Sequence, residues 1–211
     1  FIPVFVGSTI IKQGIKGLME DIASYFPHPR AHGPFYLANG EELYVDETGE
    51  PAGFVFKTLS DPYVGRMSFI KVLSGYLEPG MELMNARSKK KERLSHLYVM
   101  MGKEPMDVKS AKAGDIIVVP KMNETKTGDT LSLSGDIEVD PLPSPVPLYP
   151  IALEAENKKD EDKLGTFLSK QAEIDPTLRL VRYEETHQQV VFTMGDMHVD
   201  VLLNKLKNQA K

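Results

Sequence analysis

Two short runs in this 211-residue chain have the residue types and spacing to bind a nucleotide. Asn157-Lys158-Lys159-Asp160 has the pattern Asn-Lys-x-Asp, in which the amide and the carboxylate read the edge of a guanine while a lysine packs on its ring. Asp46-Glu47-Thr48-Gly49 has the pattern Asp-x-x-Gly, which meets a magnesium ion and a γ-phosphate. Both patterns depend on a cradle of backbone N–H groups for the phosphates, and no G-x-x-x-x-G-K-[ST] run occurs in the sequence. Each has a local explanation. Asn157 and Asp160 open an amphipathic helix, where they serve as caps and favour the helix dipole. Asp-Glu-Thr-Gly, just before Pro51, is ordinary turn chemistry. The local explanation is taken for both.

Other constellations are absent from the sequence. There is no G-x-S-x-G elbow and no H-E-x-x-H pair, so neither a catalytic residue nor a metal site is expected. The five histidines, at 28, 32, 96, 187 and 198, sit in unrelated contexts. His96, inside "RLSHLYVM", reads as an ordinary strand residue, and His198 as a packing or interdomain contact. The run Arg87-Ser88-Lys89-Lys90-Lys91-Glu92-Arg93 stands out more, with five cations in seven residues at the tip of a hairpin. Such a tip either clamps phosphates, gaining by counterion release, or is a solvated turn that protects a strand edge. Lys89, Lys90, Lys91 and Arg93 are the candidate RNA-contacting residues. Arg66 and Lys71, on the strand pattern "SDPYVGRMSFIKVLSGYLEPG", either reach the same kind of partner or only solubilise the strand.

The elements that carry these residues follow from hydropathy and punctuation. Hydrophobic residues make up 41% and charged residues 26%, ordinary for a globular chain, and no apolar run is long enough to span a bilayer. Cysteine is absent, which excludes disulfides and thiolate metal sites and fits a reducing cytosol. The net charge of −5 excludes a uniformly basic nucleic-acid coat but not a local patch. Residues 1–27 predict a strand buried on both faces ("IPVFV") and a helix whose apolar face holds Leu18, Ile22, Tyr25 and Phe26, stopped by Pro27. One strand and one helix cannot bury each other, so this piece reads as the tail of a further domain. Residues 28–140 change from turn-rich to all-β, with short strands at regular spacing, and predict a closed β-barrel or a sandwich. A proline-rich linker at 141–146 follows. Residues 147–211 run β-α-β-β-α, a ferredoxin-like unit without its last strand, with "IALEAE" as its first strand. Leu164, Phe167, Leu168 and Gln171 share one face of its first helix and Val199, Leu202, Leu203 and Leu206 one face of its second, with Leu164, Phe167, Leu168, Val199, Leu202 and Leu206 expected to be buried. The fold class is mainly β plus α+β.

The blocks "DPYVGRMSFIKVLSGYLEPG", "RSKKKERL" and "AGDIIVV…TKTGDTL" closely resemble the second domain of elongation factor G, the β-barrel of translational GTPases. "EIDPTLRL" and "HQQVVFTMGDMHVDVLLNKL" resemble the third domain, and "PVFVGSTIIKQGIKGLMEDIASYFPHP" the last strand and helix of the G domain. The resemblance covers nearly the whole chain. It implies a part of a ribosomal translocation GTPase: ribosome contact, through small-subunit rRNA and proteins, and coupling to its own G domain. It implies a cytoplasmic, membrane-free, monomeric fragment without enzymatic activity. GTP and magnesium belong to the full-length factor and are not expected on this part. Gly7 and Ser8 fall at the guanine-side loop of that G domain. Departures from the family pattern are Asp196 and Asp200 at usual Glu positions and Thr9 at a usual Ala, which leaves a specialised paralogue open. Ribosomal protection proteins and release factor three share the layout, and a non-enzymatic RNA-binding barrel is the reading from another class.

Overall fold

The computed structural model describes residues 2–31, 33–61, 65–102, 104–155, 157–185 and 188–209. Residues 62–64 of the quoted strand pattern and Glu156 of "IALEAE", together with His32 and His187, lie outside the described residues.

The first expectation fails. Residues 2–6 are not a buried strand; Ile2, Val4 and Val6 stand in solvent without a ladder. A strand exists only through its neighbour's N–H and C=O groups, and among the described residues none is offered. The chain then doubles back in a small turn, with Ser8 and Gln13 exchanging backbone hydrogen bonds of 3.0 and 3.1 Å. Helix α1 (Ile15–Tyr25) follows and ends one residue earlier than predicted, because Pro27 forces Phe26 into an extended conformation. Leu18 and Ile22 of its apolar face, with Phe26 just beyond it, stay exposed.

The second unit is built from β1 (Phe35–Tyr36), β2 (Glu42–Leu43), β3 (Ala52–Asp61), β4 (Gly65–Ser74), β5 (Tyr76–Leu77), β6 (Glu82–Asn85), β7 (Lys91–Arg93), β8 (Tyr98–Met101), β9 (Glu104–Asp107), β10 (Ala111–Lys112), β11 (Ile116–Pro120) and β12 (Thr130–Ser132). Eight of these form one antiparallel sheet in the order β7-β6-β12-β3-β4-β11-β8-β9. It curls around one core that draws Val55, Ile70, Val72, Leu77, Leu83, Leu97, Ile117 and Leu131 from all around the ladder. The unit is barrel-like, but its ladder does not close among the described residues, since β7 and β9 remain edges. The other side of β4 is covered too: Leu73 packs with Leu37 and Val139, flanked by Phe35 and Leu43 of the β1–β2 hairpin. Burial on both faces explains why Val72, Leu73 and Ser74 are buried in succession instead of alternating.

Two strand assignments need correction. "RLSHLYVM" is not one strand: residues 94–97 are irregular, and Leu94 and Leu97 turn inward to the core. His96 therefore lies off the strand, with its ring stacked on Tyr98 at 6.0 Å. The basic run is likewise not all turn, because Lys91-Glu92-Arg93 pairs as β7 with β6.

The third unit runs β13 (Tyr149–Leu153), α2 (Glu161–Ile174), β14 (Arg179–Arg182), β15 (Gln189–Thr193), α3 (Asp196–Gln209), the predicted β-α-β-β-α order. The strands lie in the order β13-β15-β14, which leaves one side of β13 as a sheet edge among the described residues. β13 begins two residues earlier than "IALEAE" and takes Pro150 inside it; an edge strand tolerates proline because one row of its N–H groups bonds nothing. Leu164, Phe167, Leu168 and Gln171 are the buried residues of α2, as the 3.6-residue period predicts. Val199 and Leu202 of α3 are buried, and Leu202 closes the same core with Leu178 and Val191. That core and the barrel's two are separate clusters.

Candidate nucleic-acid interface

The basic run is shaped by two alternating patterns. In the hairpin loop, Asn85 closes the turn: its N–H reaches Lys90 O at 2.9 Å, and its side-chain oxygen accepts from Ser88 N at 3.0 Å. Lys89 takes a left-handed backbone (φ 54°) to complete it. Beyond the loop, strand alternation sends Lys91 and Arg93 outward and Glu92 inward. Buried Glu92 accepts from Glu124 N (2.7 Å), Thr125 N and Thr125 Oγ1 (both 3.0 Å), pinning the 124–125 loop beside the turn.

That loop brings carboxylates to the cations. Asp129, with a side chain 4% exposed, receives Arg87 Nε at 2.7 Å and Nη2 at 2.8 Å, one on each oxygen. Asn85 Nδ2 (2.7 Å) and Lys126 N (2.8 Å) donate to it as well. Burial pushes the Asp129 carboxyl up, but the Arg87, Asn85 and Lys126 donors outweigh it and hold the group below the usual carboxylate range. Lys90 Nζ lies 2.8 Å from Glu124 Oε1, and this bond lowers the Glu124 pKa. Lys91 Nζ is 3.9 Å from Glu82, and Lys89 Nζ donates to Gly135 O at 3.2 Å. Of the four predicted RNA-contacting residues, Arg93 is exposed and has no ion pair among the described residues. The structure thus gathers Lys89, Lys90, Lys91 and Arg93 on one hairpin and gives three of them intramolecular partners. Sequence reasoning missed those partners, since Gly135 and Glu124, like the Asp129 that holds Arg87, lie over thirty residues away along the chain.

The remaining candidates fall elsewhere. Gly7 lies against Gln13 O, where a Cβ would approach to 2.9 Å, so the close approach requires glycine there. Ser8 is tied by its backbone to Gln13, and Gly14 lies close against Gly7. Asn157 and Asp160 precede α2 as expected, but neither side chain makes a cap hydrogen bond; the Asp160 carboxylate instead pairs with Lys163 at 3.0 Å. Asp46 closes the turn predicted for it, its Oδ1 accepting from Thr48 N at 2.9 Å, which with the Thr48 hydroxyl lowers its pKa. His198 contacts its own unit: Nε2 is 3.3 Å from Asp175 Oδ2, while Nδ1 accepts from Met194 N. Lys71 lies over the Phe35 ring at 5.1 Å. Arg66 points to α2, with Nη1 3.8 Å from Glu173 and 3.3 Å from Asn123 O. Among the described residues no group of three or more potential ligands is arranged to hold a metal ion.

Comparison with known proteins agrees with this architecture. Residues 50–134 match the family model described as elongation factor G domain 2, and residues 144–211 the model described as elongation factor G, domain III. The elongation factor G of Mycoplasma genitalium is 34% identical over the whole chain, which spans 31% of that protein. A crystal structure from Thermus thermophilus superposes with a TM-score of 0.73 at 32% identity, covering 93% of this chain and 28% of the other.

Proposed function

The chain belongs to the elongation factor G family through its second and third domains, and on that premise we propose that it serves a ribosomal translocation GTPase of the cytoplasm as ribosome-contacting and coupling parts. The single observation that carries this reading is the succession of the two domain matches, in family order, on a barrel-like unit followed by β-α-β-β-α. GTP and magnesium act in the full-length factor; Gly7 and Ser8 are the positions proposed to face the guanine side there. The partners are small-subunit ribosomal RNA and proteins, and the G domain.

In this reading Lys89, Lys90, Lys91 and Arg93 meet RNA phosphates. Lys91 and Arg93 share the outward face of β7. Arg93 contacts a phosphate directly, whereas Lys90 and Lys91 exchange Glu124 and Glu82 for phosphate oxygens. The exchange is cheap, because exposed ion pairs contribute only about 0–1 kcal/mol. Sedimentation of the chain with purified small ribosomal subunits tests the reading. Saturable co-sedimentation at low salt, competed by a full-length elongation factor G, is expected. A chain that stays in the supernatant at micromolar subunit concentration overturns it.

A further inference from the structure

The junction between the barrel-like unit and the third unit has unusual contents. Among the described residues no hydrophobic cluster spans it; each of the three cores draws on one unit alone. Helix α2 lies against β3, and the charged contact across the boundary is Arg66 of β4 with Glu173 of α2. Arg66 is confined, its side chain 20% exposed, and its Nη1 meets Asn123 O at 3.3 Å and Glu173 Oε2 at 3.8 Å. Its Nε and Nη2 are buried without a hydrogen-bond partner among the described residues. Glu173 remains 54% exposed, so water competes for its carboxylate.

A guanidinium has five N–H donors in a rigid fork and binds a carboxylate best through two parallel bonds. Here one long contact to the carboxylate is made and two buried nitrogen atoms have no protein partner among the described residues, which disfavours the arrangement. Parting of the units would hydrate both nitrogens. Small shifts of α2 in the other direction would bring Glu173 into the fork. The attached chain permits either movement, because residues 141–146 are exposed and lie outside any strand or helix. Without a shared apolar core, the motion is opposed by the packing of α2 on β3 and the burial of Pro147.

We propose that Arg66 and Glu173 form an electrostatic latch that biases the angle between the two units and releases under conditions that screen or replace the Glu173 charge. The latch is intramolecular and does not depend on the ribosomal reading. The absence of cysteine permits clean labelling: Asp107→Cys on β9 and Asp200→Cys on α3 place one dye on each unit. Single-molecule energy transfer is then recorded from about 0.01 M to about 1 M salt, over which the screening length falls from ~30 Å to ~3 Å. The labelled chain should show a salt-dependent shift in mean transfer efficiency. Glu173→Gln, an exposed change that leaves the cores intact, should at low salt already give the high-salt distribution. Arg66→Met should abolish the salt dependence. A distribution that ignores salt, or a Glu173→Gln distribution equal to that of the parent at low salt, overturns the latch.

Discussion

Replacing Asp129 by Asn tests whether the basic hairpin is held by its buried carboxylate. The substitution keeps shape and removes charge. The Asp129 partners are all donors: Asn85 Nδ2, Arg87 Nε and Nη2, and Lys126 N. An amide at this site must set its own NH2 against one or two of them, leaving donors face to face in a buried place. Breaking a fully buried ion pair costs about 3–5 kcal/mol. Arg87 is 45% exposed and rehydrates when released, so the lower figure of about 2–3 kcal/mol is expected here. The pH dependence adds a second signature. The carboxyl pKa is depressed in the fold, so its stabilisation is present above the unfolded value of about 3.9 and fades as pH falls through the lower folded value. Asp129→Asn should therefore be less stable at pH 7 and should lose part of the acid-side decline. The assay is urea unfolding read from amide exchange in β4, since the chain has no tryptophan and two units that need not unfold together. A variant within about 0.5 kcal/mol of the parent, with the same pH profile, would refute the network's role.

Titration with a fluorescent guanine nucleotide should show no saturable binding by the chain; saturable binding that Asp160→Ala abolishes would restore the Asn-Lys-x-Asp reading. Neutralising Lys89, Lys90, Lys91 and Arg93 together in the full-length factor should weaken ribosome binding and flatten its salt dependence, by about 0.7–0.9 log units of slope for each phosphate no longer neutralised. Unchanged affinity and slope would leave the hairpin a solvated turn. Hydrogen exchange should show weak protection in β13, an edge strand, and strong protection in residues 68–73 of β4, which lies between two strands; equal protection would contradict the sheet order.

What the sequence revealed depended on how local the deciding force was. The buried face of α2 was legible because four residues at helical spacing need only one surface to pack against. The strands β3 and β4 were legible from apolar residues alternating with polar ones between turn signals, and β11 from a continuous apolar run. Residues 2–6 carry the same signal and form no strand, because apolarity states that a segment wants a neighbour but cannot supply one. β7 failed in the opposite sense. Three charged residues read as turn, yet Glu92 is drawn inward by backbone donors of the 124–125 loop. The direction of Arg66 was equally hidden, since β4 alternation places it on a face whose occupant belongs to another unit.

The same nonlocality revises what the basic run can do. In the sequence it is five cations beside one glutamate. In the fold, Asp129, Glu124 and Glu82 join Glu92 around it and Lys126 comes with the same loop, so that six cations face four carboxylates. Seen from beyond a screening length of about 8 Å, such a hairpin carries only part of the charge its sequence suggests and would steer an RNA less. In the proposed reading its contribution is confined to contact range, where Arg93 has no ion pair among the described residues and Lys90 and Lys91 would exchange one oxyanion for another. Arg87 differs from these: its carboxylate is buried and bidentate, and a phosphate could take it only by stranding Asp129 inside the barrel. Arg87 therefore shapes the hairpin, and in the proposed reading Lys89, Lys90, Lys91 and Arg93 are the residues that meet RNA. Substituting Glu124 by Gln follows as the informative complement to removing lysines, because it frees Lys90 without touching the buried network and should strengthen RNA contact if exchange limits it.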